Sequence, residues 1–311
     1  MKTHIPIFFA TDDKYAPFLS VTLKSLLKNA SKKYFYEIIV LKTNLSKDIE
    51  KKLKKCSTLN SSISFISLQN ELSKIYDKLH LRDYYSKETY YRFFIANLFP
   101  QYDKVLYLDC DIVVLGDISE LYNTELGNNL LGAVPEEVMN TIDVFGEYVE
   151  KTLDVSRKQY FNAGILLMNT KAMREINIEK IFVDLLSKFT FTVTQDQDYL
   201  NIICKNRTTL LNLGWNKTSY YNPNFNEKDL RIIHYKIHWK PWHYEGVMYE
   251  DYFWKYAQKT IFYKDLIKMR NNYTEFEKQR DKLAYEKLID RAIKDANNPN
   301  NYKNTKLKEI C

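Results

Sequence analysis

Apolar and polar positions in the first 130 residues switch repeatedly between two periods. Residues 5–10 form an apolar run that predicts a buried strand, followed by a polar turn over 11–14. Pro17 is placed to start a helix reaching about residue 29. Residues 37–41 predict a second strand, and Ser46 can cap a helix continuing to about residue 56. Residues 62–67 alternate as a third strand, 88–98 read as a helix, and 104–108 form a short, strongly apolar fourth strand. Strands alternating with helices predict βαβ units, hence an α/β chain with a mainly parallel sheet. Ligands of such sheets bind beyond the carboxyl ends of the strands, here after Ala10, Leu41 and Leu108. Two of those three places carry carboxylates, Asp12/Asp13 and Asp109/Asp111.

The second half is less regular. Residues 161–168 predict a buried strand, 170–188 have helical periodicity, and 232–235 form a short strand containing His234. From residue 249 onward the pattern is helical, while the polar stretch 297–304, with Pro299, is expected to fray. No internal repeat is present. This divides the chain into a catalytic-type domain over 1–260 and a helical, basic and aromatic extension over 261–311.

Composition narrows the class. The chain is 45% apolar over 311 residues, enough for a large core, and its seven glycines and seven prolines leave no room for long flexible linkers. The net charge of +7 is concentrated late, because residues 251–311 hold 14 Lys/Arg against 9 Asp/Glu. Such a tail reads either as a solvated helical face packed on the domain or as a surface that docks on anionic lipid. The four cysteines form no CxxC pair, which suits reduced thiols in a cytoplasmic protein, at most peripheral on the inner face of the membrane. The first residues do not read as a secretory signal, and no segment is long and apolar enough to span a bilayer. Neither a Gly-rich phosphate loop nor GxSxG occurs, which argues against kinases, dinucleotide dehydrogenases and esterases. Nothing in the sequence calls for a nucleic-acid partner.

Three polar clusters carry candidate chemistry. In the first, the apolar run 105–108 leads into Asp109-Cys110-Asp111. In extended backbone, residues two apart project to the same side, so both carboxylates can face one cation. Buried like charges are costly without a counter-ion, and carboxylate oxygens suit a hard divalent ion such as Mn²⁺ or Mg²⁺. DxD is a weak pattern by itself; its place at a strand end strengthens it. The second cluster, residues 234–243, holds three of the five histidines with Lys240 and two tryptophans. His234 can add an imidazole to the same ion, which favours Mn²⁺, and Lys240 can neutralise a diphosphate. The third, Gln195-Asp196-Gln197-Asp198, reads both as a helix N-terminus and as groups that grip sugar hydroxyls.

In this order the clusters resemble glycosyltransferase family 8, which includes bacterial galactosyl- and glucosyltransferases of lipopolysaccharide and surface-glycan assembly, and glycogenin. The resemblance spans roughly residues 5–258 and rests on six pieces: residues 9–15, Tyr90-Tyr91-Arg92, residues 106–111, Phe161-Asn162-Ala163-Gly164, residues 195–198, and His234-Tyr235 with Lys240-Pro241-Trp242-His243. It implies the GT-A fold, a Rossmann-like mixed, mainly parallel sheet flanked by helices. It implies Asp109, Asp111 and His234 as Mn²⁺ ligands, with Mg²⁺ the alternative. Ala10, Asp12 and Tyr15 match positions that hold uracil and ribose. Arg92 matches an arginine near the donor sugar and diphosphate, and Lys240 a lysine on the donor phosphates. Asn162, Asp196 and Gln197 match residues around the transferred hexose, and Glu136 stands where an aspartate is usual. Ile237 departs from the family pattern, which has glycine there.

The resemblance further implies a UDP-hexose donor, a saccharide, glycolipid or glycoprotein acceptor, and retention of configuration. A retaining hydrolase would place a carboxylate nucleophile at the sugar, whereas Gln197 matches the residue nearest the anomeric carbon, and an amide is a poor nucleophile. Front-face attack by the acceptor follows, with Asp196 positioning the sugar and Arg92 and Lys240 offsetting charge. Two alternatives stay open: an inactive carbohydrate- or nucleotide-binding scaffold on the same fold, and, more remotely, a metal-dependent sugar nucleotidyltransferase. Residues 72–88 and 135–160 are the candidate lids over the acceptor.

Overall fold

The computed structural model describes residues 2–73, 75, 79 and 87–310. Of the expected lid over 72–88, residues 74, 76–78 and 80–86 lie outside the described residues. The strands are β1 His4–Ala10, β2 Phe35–Lys42, β3 Ser61–Ser67, β4 Val105–Leu108, β5 Ile112–Val114, β6 Leu131–Pro135, β7 Phe161–Met168, β8 Thr208–Leu210, β9 Lys217–Thr218 and β10 Ile232–His234. Seven of them form one sheet in the order β3-β2-β1-β4-β7-β6-β8. All pairings in it are parallel except those of β7, which runs antiparallel to both β4 and β6. The expected mixed, mainly parallel α/β architecture is therefore present, and the reversed β7 has a consequence for the site: it brings the start of that strand to the edge where β1 and β4 end.

The sheet is covered on both faces, which is why its central strands are continuous apolar runs rather than alternating ones. Along β1, Ile5, Ile7 and Phe9 enter one core cluster and Phe8 the other; along β4, Leu106 and Leu108 oppose Val105 and Tyr107 in the same way. A small second sheet, β5-β10-β9, continues directly from β4 through the Asp109–Asp111 turn. Its antiparallel β5–β10 pair sets His234 opposite Ile112, one residue from Asp111.

Three local expectations change. Residues 88–98 are not one α-helix but a 3₁₀ segment Lys87–Phe93 followed by the short helix Ile95–Leu98. Tyr90, Tyr91, Arg92 and Phe93 are all buried there, so tertiary packing outweighs the helical period. The helix expected over 170–188 breaks into Thr170–Glu175 and Ile178–Lys188, because Asn177 takes a left-handed backbone and its side chain accepts from Lys180 N. Residues 297–304 do not simply fray: Asn301 is buried, donates to Lys151 O at 3.1 Å, and precedes the helix Tyr302–Ile310.

The final helices pack against the domain. Leu288 and Ala292, from the long helix Glu275–Ala296, are buried in the main core, and Ile289 packs on it. Ile261, Tyr263, Phe276, Leu283 and Ile293 of the extension stay exposed. Among the described residues, no helix is long and apolar enough to cross a membrane.

Candidate active site

Beyond the carboxyl ends of β1 and β4 lies a cleft of about 1160 Å³. Backbone hydrogen bonds fix the turn at its base. Asp109 N donates to Gly164 O at 2.8 Å, and Tyr235 N to Asp111 O at 3.0 Å, tying the turn to β7 and β10. Thr22 Oγ1, on the helix Ala16–Asn29, lies 2.7 Å from Cys110 O and 2.8 Å from Ile112 O.

Asp109 and Asp111 face one point as their spacing implied, and His234 joins them there. One ligand atom from each of Asp109, Asp111 and His234 lies within 4.8 Å of the others. His234 Nε2 is 3.3 Å from Asp111 Oδ1 and 3.9 Å from Asp109 Oδ2. The tautomer follows from the hydrogen bonds. Asn216 Nδ2 donates to Asn162 Oδ1 at 2.8 Å, so Asn216 Oδ1 is the acceptor facing His234 Nδ1 at 2.9 Å. Nδ1 therefore carries the proton, and the Nε2 lone pair points at the carboxylates. Two hard oxygens and one oriented imidazole suit a divalent cation of the Mn²⁺ type. Gly164 makes room for the cluster: a Cβ there would sit 2.4 Å from His234 Cε1 and 2.7 Å from Asp109 Oδ2. The residues present thus fit a metal.

Positive charge surrounds this centre. Lys240 ion-pairs with Asp111 and donates to Tyr235 O at 2.7 Å. Burial acts to raise the Asp111 pKa, but the Lys240 ammonium beside it holds it well below the usual carboxylate range. Arg92 is 2% exposed, and its guanidinium is committed to the protein. Nε donates to Thr89 O at 2.8 Å and lies 3.2 Å from Asp196 Oδ2, while one terminal nitrogen donates to Asp109 Oδ1 at 3.1 Å and to Tyr107 Oη at 3.2 Å. The other donates to Ala163 O. Arg92 is thus a clamp between Asp109 and Asp196. Burial pushes the Asp196 pKa up to about 6; Arg92 opposes this and Asp109 adds to it.

Further polar side chains of the cleft are equally fixed. Glu136 caps the helix Glu137–Thr141, accepts from Asn162 Nδ2 at 2.7 Å and ion-pairs with Lys236. Burial acts to raise its pKa, but Lys236 and Asn162 hold it below the ordinary glutamate value. Gln197 Oε1 accepts from Ala163 N at 3.0 Å, and its Nε2 donates to Tyr160 Oη at 3.2 Å. Asp196 and Gln197 open the helix Asp196–Ile203 and also line the cleft. Asp198 does not share the cleft wall; it is buried and accepts from Tyr148, Tyr160 and Thr194.

Of the sequence-derived site residues, Ala10, Tyr15, Arg92, Asp109, Asp111, Glu136, Asn162, Asp196, Gln197, His234 and Lys240 all line this cleft. Asp12 does not; its Oδ1 accepts from Tyr15 N at 2.9 Å and sets the turn that aims Tyr15. Sequence reasoning missed Asn216, Lys236, and Tyr285 and Leu288 of the long helix Glu275–Ala296, which close one side of the cleft. Ile237 lines the cleft in a left-handed backbone, φ +60°, a conformation that costs a β-branched residue more than most.

Comparison with known proteins agrees with this geometry. The family model described as Glycosyl transferase family 8 matches residues 6–246. A Haemophilus influenzae protein named as a glycosyltransferase is 31% identical over 229 residues, covering 73% of this chain and 67% of its own length. The bifunctional glycosyltransferase WbbM, in its apo structure, superposes with a TM-score of 0.76 at 29% identity, over 88% of this chain and 52% of that longer one. The galactosyltransferase LgtC, in complex with donor and acceptor sugar analogues, superposes with a TM-score of 0.69 at 25% identity, over 83% of this chain and 96% of its own.

Proposed function

Because the chain belongs to glycosyl transferase family 8, we propose that it transfers a hexose, galactose or glucose, from a UDP-sugar to a glycan or glycolipid acceptor, with retention and dependence on Mn²⁺. The observation that carries this reading is the convergence, in one cleft, of Asp109, Asp111, His234 and Lys240 with Glu136, Asn162, Asp196 and Gln197. The likeness to LgtC supports a cleft for two sugar substrates.

A divalent cation held by Asp109, Asp111 and His234 would offset the negative charge that develops on the departing diphosphate. Lys240 supplies a second positive charge at the same place. Arg92 positions Asp109 and Asp196 relative to each other. Ala10, the last residue of β1, and Tyr15 just beyond it form the base-binding end. Asn162, Asp196 and Glu136 present fixed hydrogen-bonding groups for hexose hydroxyls. Gln197 is held by Ala163 N and Tyr160 with its amide in the wall, where it orients the sugar and offers no good nucleophile. Attack by the acceptor hydroxyl on the face that the diphosphate leaves, with the hydroxyl proton passing to the departing phosphate oxygen as the sugar–phosphate bond breaks, accounts for retention without a covalent sugar–enzyme intermediate.

The test is UDP release from a panel of UDP-sugars, with and without Mn²⁺, for wild type and Asp111→Ala. Metal-dependent release from one UDP-hexose, lost in the variant, is the expected result. Release of pyrophosphate instead, or failure of the protein to bind UDP with Mn²⁺, would overturn the reading.

A further inference from the structure

A second groove, of about 1180 Å³, lies between residues 238–244 and the long helix Glu275–Ala296. Tyr285 lines both this groove and the cleft described above, so the two are neighbours across one side chain. Its outer wall comes from beyond the family-matched segment, which ends at residue 246. We propose that this groove is the subsite for the acceptor saccharide, with Trp239 as its stacking platform; the inference rests on the glycosyltransferase reading.

Three observations carry it. First, Trp239 is 63% exposed, the largest aromatic ring to stand so far into solvent among the described residues, and it is not isolated: its ring centroid is 4.8 Å from that of Tyr244. An aromatic face of this size held in solvent needs a reason, and the apolar C–H face of a pyranose is the natural partner for one beside a sugar-transfer cleft.

Second, Tyr244, the ring beside Trp239, is fixed from below. Asp281 is buried and accepts from Tyr244 Oη at 2.9 Å and Tyr273 Oη at 2.5 Å, while His238 Nδ1 lies 3.3 Å from its other oxygen. His243 stacks on Tyr273 with ring centroids 4.0 Å apart and planes 6° from parallel. Two segments distant in sequence are thereby locked together, which fixes the Tyr244 ring that Trp239 packs against.

Third, the remaining wall is polar in the manner a saccharide uses. Gln279 brings an amide that both donates and accepts, and the helix flanks it with charged side chains rather than an apolar stripe. A few polar groups around an aromatic surface is the composition of a small-molecule site, not of a protein-docking face. A sugar stacked on Trp239 and bonded to Gln279 would extend past Tyr285 into the donor cleft, which is the direction its reactive hydroxyl must take.

The experiment is saturation-transfer NMR with cellobiose, maltose, lactose and diacetylchitobiose on wild type, Trp239→Ala, Trp239→Phe and Gln279→Ala, with calorimetric UDP binding in Mn²⁺ on the same samples. At least one saccharide is expected to bind wild type, with affinity falling about tenfold or more in Trp239→Ala and largely kept in Trp239→Phe. UDP affinity should not follow that fall. Saccharide binding that survives Trp239→Ala, or no binding of any of the four, overturns the subsite. Loss of UDP binding in wild type would instead overturn the reading on which it rests.

Discussion

His234 Nδ1 sits 2.9 Å from Oδ1 of Asn216, and that one contact decides which imidazole nitrogen faces Asp109 and Asp111. Asn216 is in turn held by Asn162, and Asn162 by Glu136, so His234 is joined to Glu136 through two buried asparagines.

Asn216→Ala should therefore weaken metal binding without removing a ligand. Loss of an outer partner of this kind typically costs about 10- to 100-fold in metal affinity. Titration of Mn²⁺ into the UDP-saturated protein would measure it. A variant with unchanged Mn²⁺ affinity would show that His234 is oriented by other means.

Gly164→Ala should be more damaging than its one methyl suggests. The new Cβ would meet His234 Cε1 at 2.4 Å and Asp109 Oδ2 at 2.7 Å, and both belong to short, packed segments that cannot simply rotate away. Overpacking typically costs about 1–3 kcal/mol in stability. The larger loss should appear as Mn²⁺-dependent UDP binding reduced by about 100-fold, since ligand geometry is disturbed directly. Calorimetry and thermal unfolding on the same protein separate the two effects.

Ile237 offers a prediction of opposite sign. A β-branched residue at φ +60° is strained by about 1–2 kcal/mol, and glycine is not. Glycine also gives the unfolded chain about 0.5–1 kcal/mol more entropy to lose, so Ile237→Gly should stabilise only modestly, by up to about 1 kcal/mol. Ile237→Ala keeps much of the strain and loses packing, so it should not stabilise. Urea midpoints for the pair decide the matter, and a clear loss of stability in Ile237→Gly would mean that the side chain's contacts outweigh its backbone cost.

The parts of this site legible in the sequence are those built from contiguous residues. Asp109 and Asp111 announce themselves because an apolar strand runs straight into them, and Asp196 and Gln197 because four short polar residues precede an apolar helix. Strands β1, β2, β3, β4 and β7 are long or apolar enough to be read. The two- to five-residue strands β6, β8 and β9 are not, since so short a run is defined by its neighbours rather than by its own pattern. Asn216 lies in the 3₁₀ segment Leu213–Asn216, where nothing local distinguishes it from any surface asparagine. Its role exists only because β10 brings His234 to it. Tyr285 and Leu288 were hidden for a similar reason: their helix reads as an appendage until it is seen to pack against the helix Asp143–Thr152 at the cleft wall.

Acid stability should depend on His243. Burial, reinforced by Lys240 and opposed by Asp281 and Glu277, holds its pKa down to about 4, against an ordinary value of 6.5. The folded chain thus keeps this imidazole neutral over an interval where the unfolded chain protonates it. Because the unfolded state binds more protons there, stability rises with pH across that interval. The contribution is fully present above pH 6.5 and is lost progressively as pH falls towards 4. Its size is up to about 3 kcal/mol from a shift of this magnitude, and less where solvent screens the ring. His243→Phe keeps an aromatic ring for the stack on Tyr273 but removes the titration. Unfolding free energies at pH 5 and pH 7 should therefore differ less in the variant than in wild type. An identical difference in both proteins would mean that the acid-side loss arises elsewhere, and Glu50, held below its ordinary pKa by Lys42 and Lys47 against the opposing effect of burial, would be the next group to replace.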